Sequence, residues 1–219
     1  MTAPPLLVFD LDGTLIDSLP DLAAALNRLL AARSLPELTP AEVAPMVGDG
    51  TKKLVERAFA ARGRAAEAAD HDAFVADYTA HATVATRPFP GVEETLAALR
   101  DAGWRFAICT NKTVAATTIV LRALVLAHWF VAVGGGDSFA AHKPDPRHLR
   151  GTIEMAGANA GRTVMVGDHK NDIAVAKACG VASIFAAWGY GNAATADGAT
   201  AVARRFEELV TIAPSLLRE

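Results

Sequence analysis

The chain has 219 residues, of which 52% are apolar and 21% charged, with a formal charge of −3. That length supports a sizeable core with room for one inserted lobe, and interspersed charge of this kind gives neither a basic stripe for nucleic acid nor a polybasic patch for a membrane surface. Small anionic ligands must therefore be drawn by local charge. Cys109, inside an apparent strand, and Cys179, just before Gly180, lack CxxC spacing and read as core residues, with no sign of the disulfide framework of a small secreted protein. Met1-Thr2-Ala3-Pro4-Pro5 has no basic region and leads straight into an apolar strand, so it reads as neither signal peptide nor membrane anchor, and a cytoplasmic location is expected.

The first element is the apolar run Leu6-Leu7-Val8-Phe9, which runs into Asp10-Leu11-Asp12-Gly13-Thr14. This places two carboxylates at the carboxyl end of a buried parallel strand, where open α/β sheets keep their chemistry. The period of two in an extended chain lets Asp10 and Asp12 face one side, so that one can attack an electrophile while the other handles a proton. Taken alone, the pentapeptide also reads as a strand followed by an Asp-Gly turn. Gly13 lets the chain bend away at once, and Thr14 is expected to hydrogen-bond to Asp12.

About seventy residues of helical pattern then separate this strand from Gly91, far more than a crossover needs, and predict a separate helical lobe. Leu22, Leu26, Leu29 and Leu30 form a stripe after Pro20. Thr39-Pro40-Ala41-Glu42 has the form of a capping box with proline at the first helical position. Leu54, Val55 and Phe59 mark a third helix, and Phe74, Val75 and Tyr78 a fourth, with Ile16 to Ser18 and Thr86 to Pro88 as the two strands of a hinge. Met46 to Lys53 places a glycine-containing turn before a helix start, which attracts anions, so Gly48, Gly50 and Lys52 are candidates to receive a small carboxylate. An ordinary interhelical turn with solvated lysines is the competing reading.

Beyond the lobe, strands are predicted at Phe106 to Thr110, Val131 to Gly134, Val164 to Gly167 and Ser183 to Ala186. Helices lie between them: Val92, Leu96 and Leu99 up to Gly103; Ile119 and Leu124; Leu149, Ile153 and Met155; and Ile173 through Ala178 up to Gly180. The alternation predicts an α/β fold with a doubly wound parallel sheet. Asn192 to Thr200 reads as a surface loop, and no internal repeat is evident. Three of the segments carry further polar residues: Thr110 and Asn111 where a strand must turn, Lys143 on a stretch stiffened by Pro144 and Pro146, and Asp168 and Asp172 four apart after Gly167. Metal ligation is the natural use of the last pair. Alone, Thr110 reads as a helix cap, Lys143 as a surface lysine and Asp172 as an acid at a helix N-terminus.

In order, DLDGT, the strand-ending CTN, KPDP and GDHKND resemble the four signature motifs of the haloacid dehalogenase superfamily of phosphohydrolases. The longer strings DLDGTLIDSLPDLAAALN, PFPGVEETLAAL, CTNK, GGDSF, HKPDP, MVGDHKNDI and AWGYG look like its phosphoglycolate phosphatase branch. The resemblance implies a Rossmann-like core over residues 1–16 and 88–219, with a helical cap domain over residues 17–87 that closes on the active site. It implies a phosphomonoesterase with Asp10 as nucleophile and metal ligand, and Asp12 as general acid and base that also binds metal through its backbone carbonyl. Thr110 and the Asn111 amide would hold phosphoryl oxygens, Lys143 would neutralise charge, Asp168 would bind the metal, and Asp172 would bind or support it and orient Lys143. The substrate would be a small phosphorylated metabolite such as 2-phosphoglycolate, handled by a monomer or homodimer. His169 is expected to make a peripheral contact, the other histidines carry no motif, and the aromatics of Trp188-Gly189-Tyr190-Gly191 read as packing.

Charge arithmetic supports this assignment. A carboxylate approaching a phosphate dianion is repelled by each negative charge by about 4 kcal/mol at 4 Å and an effective dielectric of about 20. A lysine and a divalent cation supply the opposing charge, and hard-oxygen ligands without a His/Cys cluster favour Mg²⁺. Asp12 disfavours a dehalogenase, which has no alkoxide to protonate. A phosphosugar mutase, or a phosphatase for sugar phosphates, nucleotides or pyrophosphate, shares the same core. A regulatory binding module would be marked by a lost nucleophile or lysine, and neither is lost.

Overall fold

The computed structural model describes residues 3–217. Its strands are β1 (Leu6–Phe9), β2 (Ile16–Asp17), β3 (Arg87–Pro88), β4 (Arg105–Cys109), β5 (Phe130–Gly134), β6 (Thr163–Gly167), β7 (Ala182–Ala186) and β8 (Ala201–Ala203). Six of them form one sheet in the order β5-β4-β1-β6-β7-β8, and every neighbouring pair is parallel. The sheet grows outward from β1 in both directions, first through β4 and β5 and then through β6 to β8. Its order therefore reverses between β1 and β6, the crevice where sheets of this kind bind ligands.

The helices are α1 (Leu19–Ala32), α2 (Pro40–Val43), α3 (Thr51–Ala60), α4 (Ala68–His81), α5 (Val92–Asp101), α6 (Val114–Ala123), α7 (Pro146–Met155), α8 (Lys170–Cys179) and α9 (Leu209–Ser215). Strand β1 is buried on both faces and sorts its side chains by the period of two. Leu6 and Val8 pack with Leu149, Ile153, Val175 and Ala176 of α7 and α8. Leu7 and Phe9 face Leu96, Leu121, Phe206 and Leu209, on and near α5, α6 and α9. At roughly 1.5–3 kcal/mol for each large apolar side chain enclosed, these two layers hold the ends of the strands in fixed register.

Helices α1 to α4 lie between β2 and β3, which pair antiparallel as the two strands leading into and out of the lobe. Inside it, Arg28 grips Asp77 and Arg33 reaches Asp70 at 2.6 Å, joining α1 to α4. Thr39 and Glu42 form the expected capping box, with Pro40 in the first turn. Buried Asp21 accepts from the Ala85 and Thr86 amides and the Thr86 hydroxyl, which fastens the returning chain to α1.

The five sheet strands expected from sequence lie within a residue of their predicted bounds, and Gly180 ends α8 in the left-handed region at φ 66°. Ile119, Met155 and Val75 belong to helices as read, but they face solvent. Strand β8 and helix α9 follow the predicted loop and were not anticipated. Cys109 and Cys179 are free thiols; Cys109 is buried, as the core reading has it, and burial pushes it up to about 12, whereas Cys179 is only half-buried against the edge of the core. Among the described residues no helix is long and apolar enough to cross a membrane.

Candidate active site

The reversal of strand order sets the site. The Asp10 amide continues the ladder past β1 by donating to the Val166 carbonyl at 2.9 Å, which leaves its carboxylate beside the loop that leaves β6. That loop carries Asp168, and the first turn of α8 carries Asp172. Carboxylate oxygens of Asp10, Asp168 and Asp172 all lie within 4.8 Å of one another, and all three residues are buried. Gly13, at φ 83°, turns the chain so closely past Asp168 that an added Cβ would strike its carboxylate. The same turn sends Thr14 across to Asp168, to which its hydroxyl donates at 3.0 Å. The expected bond from Thr14 to Asp12 is therefore corrected; Ser18, at 2.6 Å, is the hydroxyl that orients Asp12.

Lys143 reaches this cluster from the loop before α7, 2.9 Å from Asp10 and 2.6 Å from Asp172. Burial alone would pull its pKa down, but the charges of Asp10 and Asp172 outweigh that and hold the ammonium protonated. Its backbone is set by His148, which carries no sequence motif yet is fully buried: Nδ1 accepts from the Lys143 amide at 3.0 Å, and Nε2 therefore donates to the Gly134 carbonyl at 3.1 Å. Asp172 also accepts from the His169 amide at 3.0 Å, so it braces the loop as well as the lysine. Burial, followed by the charge of Asp10, pushes Asp168 up to about 7, and Asp172 is raised by burial against the pull of Lys143. One ammonium cannot neutralise three enclosed carboxylates. The shortfall, and a donor set made only of hard oxygens, fit a divalent cation.

Asp12 lines the same cavity as Asp10 but keeps different company. Both of its oxygens lie 2.9 Å from Nζ of Lys112, which also donates to the Tyr78 hydroxyl of α4 at 2.8 Å and stands 4.6 Å over that ring. Burial lowers the Lys112 pKa, but Asp12 and Tyr78 more than offset it, so the side chain stays charged. Sequence reasoning passed over Lys112, although it directly follows the Thr110-Asn111 pair in the CTNK string.

The cavity is closed by Leu22, Val47, Gly48, Gly50, Thr51 and Leu54 from the helical lobe, opposite Thr110, Asn111 and Lys112. Asn111 bridges the two sides, its side-chain amide donating to the Gly48 and Lys143 carbonyls at 3.0 Å each. The His169 ring packs against Gly48. Asp10, Asp12, Thr110, Asn111, Lys143, Asp168, Asp172, Gly48 and Gly50 are thus brought together, with Gly13 behind them. Lys52 is not. Thr51 and Leu54 take the inward face of α3, so the helical turn carries Lys52 outward to an exposed cleft shared with Glu67 and His71. The aromatics after β7 do more than pack, since the Trp188 indole donates to the Thr14 carbonyl at 2.9 Å and the Tyr190 hydroxyl to Asp17 at 2.8 Å, while the Tyr190 backbone amide donates to Asp168 at 2.8 Å.

Residues 7–186 match the family model described as haloacid dehalogenase-like hydrolase. The phosphoglycolate phosphatase of Mesorhizobium japonicum is 45% identical over 190 residues, covering 85% of this chain and 84% of its own. That of Rhodospirillum rubrum is 41% identical over 215 residues, covering 94% and 89% respectively. Among solved structures, a predicted phosphoglycolate phosphatase from Haemophilus somnus 129PT superposes with a TM-score of 0.89 at 30% identity, covering 97% of this chain and 99% of its own. A strand-end nucleophile candidate, a buried lysine and a carboxylate cluster at the switch point of the sheet agree with that match, and the chain belongs to the haloacid dehalogenase-like hydrolases.

Proposed function

We propose that this protein is a Mg²⁺-dependent phosphomonoesterase that hydrolyses 2-phosphoglycolate through a phosphoryl group carried on Asp10. One observation carries the reading: two acids from a single strand end are given different partners. Asp10 stands against Lys143 within the carboxylate cluster, whereas Asp12 is held by Lys112 and Ser18 on the cavity wall. That difference supports the first as the attacking group and the second as the one that moves a proton.

In the first half of the reaction a carboxylate oxygen of Asp10 attacks phosphorus. The bond from phosphorus to the glycolate oxygen breaks, and Asp12, which takes up a proton as the anionic substrate draws Lys112 from it, gives that proton to the oxygen. In the second half water attacks the aspartyl phosphate, Asp12 takes a proton from the water, and the Asp10 carboxylate is restored as phosphate leaves. Lys143 offsets the charge of nucleophile and phosphoryl group, and the Thr110 hydroxyl and Asn111 amide hold phosphoryl oxygens. Mg²⁺ bound by Asp10, Asp168, Asp172 and the Asp12 carbonyl would supply further positive charge to the phosphoryl oxygens.

Residues 17–87 would act as a cap on a core formed by residues 1–16 and 88–219. Gly48 and Gly50, at the start of α3, and Lys112 opposite them would receive the substrate carboxylate. The names of the relatives at 41–45% identity support the choice of substrate, and a cytoplasmic monomer or homodimer fits it. The test is phosphate release from 2-phosphoglycolate, sugar phosphates, nucleotides and pyrophosphate, with and without a chelator. Chelator-sensitive preference for phosphoglycolate, lost in Asp10→Asn, is expected. Release that survives Asp10→Asn, or isomerisation of glucose 1-phosphate without free phosphate, would contradict it.

A further inference from the structure

Helix α1 begins without the cap its sequence offers. Ser18 occupies the N-cap position but makes no side-chain capping bond: its backbone is helical (φ −99°, ψ −1°) instead of extended, and its hydroxyl points to Asp12, to which it donates at 2.6 Å. Asp17 accepts from the Leu19 amide at 3.2 Å, and the shorter bonds to the first amides come from the loop after β7. The Tyr190 hydroxyl accepts from the Ser18 amide at 2.8 Å and the Leu19 amide at 2.9 Å, and donates its own proton to Asp17 at 2.8 Å. Burial, with the charges of Asp12 and Asp17, keeps the phenol protonated, so all three bonds can be made together. The backbone amide of the same residue holds Asp168.

We propose that Tyr190 is a positioning residue for proton transfer: it helps cap α1, fixes the backbone of Ser18, and thereby holds the Ser18 hydroxyl where it aims Asp12 at the leaving oxygen. The inference rests on the reading of Asp12 as the acid. It ties the alignment of Asp12 to the docking of the hinge at Asp17 to Leu19 on the loop beside Asp168. A tyrosine that only packed would be replaced by phenylalanine with equal effect on every substrate.

The test uses leaving groups of different basicity. An alkoxide such as glycolate needs a proton as it departs, whereas 4-nitrophenolate does not, so the ratio of kcat/KM for 2-phosphoglycolate to kcat/KM for 4-nitrophenyl phosphate, which is set by the first half of the reaction alone, reports on the acid. Tyr190→Phe keeps the ring and the backbone bond to Asp168. Acid catalysis of this kind is worth on the order of 10²–10⁴-fold, and a misaimed acid is expected to lower the ratio about tenfold. Ser18→Ala is expected to lower it similarly, the double variant no further than the larger single effect, and Asp12→Asn the most. If Asp12→Asn lowers the ratio and Tyr190→Phe leaves it unchanged, or lowers kcat/KM for both substrates equally, the positioning role is overturned. A ratio unmoved by Asp12→Asn would overturn the acid assignment itself.

Discussion

Replacing Lys112 by methionine tests whether Asp12 is held by a charge. The two side chains are only 4% and 15% exposed, and the ammonium stands 2.9 Å from both carboxylate oxygens with Tyr78 at 2.8 Å on its other side. Breaking a fully buried pair by removing one partner costs about 3–5 kcal/mol, because the other charge is stranded. Partial contact of Asp12 with water reduces this to about 2–3 kcal/mol. In a chain of 219 residues each kcal/mol shifts Tm by about 2–4 °C, so Lys112→Met is expected to melt about 4–12 °C below the parent. Adding Asp12→Asn removes the stranded charge, and the double variant should recover part of the loss. Urea and thermal unfolding of the four proteins in chelator give the comparison. A double variant that melts lower than Lys112→Met, with the two losses simply summing, would refute the pairing.

Three further outcomes follow from the geometry. Burial, then the charge of Lys143, push His148 down to about 4 from its ordinary 6.5, so between those values the unfolded chain binds a proton that the folded chain does not. Its contribution is complete above that window and is lost as pH falls through it, by up to about 3 kcal/mol; His148→Gln should flatten the stability-pH slope there, and an unchanged slope contradicts the assignment. Gly13→Ala would press a methyl group against Asp168 at φ 83°, and should weaken Mg²⁺ binding, read as the Tm rise on titration, by about 10–100-fold. Lys52→Ala should leave KM for phosphoglycolate within about twofold, since Lys52 is exposed and lies off the cavity; a larger rise would return it to the site.

The acids were legible because each sits where an apolar run stops, and strand ends of a parallel sheet converge on one edge. Asp10, Thr110 and Asp168 needed only that rule. Lys112 escaped because a lysine beyond a strand ordinarily reaches water, and its burial depends on Tyr78 arriving from α4, some thirty residues earlier in the chain. Tyr190 and Ser18 meet across the whole core, a contact with no local periodicity to betray it. Strand β8 was missed because Ala201-Val202-Ala203 is too short and alanine-rich to stand out, and it is ordered by pairing with β7. Lys52 was misplaced by the angular phase of a helix, where one residue turns a side chain by about 100°.

The central claim is that Asp10 accepts the phosphoryl group. Acid quenching during steady turnover with Mg²⁺ and 2-phosphoglycolate, followed by peptide mass mapping, should find phosphate on the peptide that contains Asp10, and none when the metal is chelated. Phosphate on another residue, or none while turnover proceeds, would contradict the account.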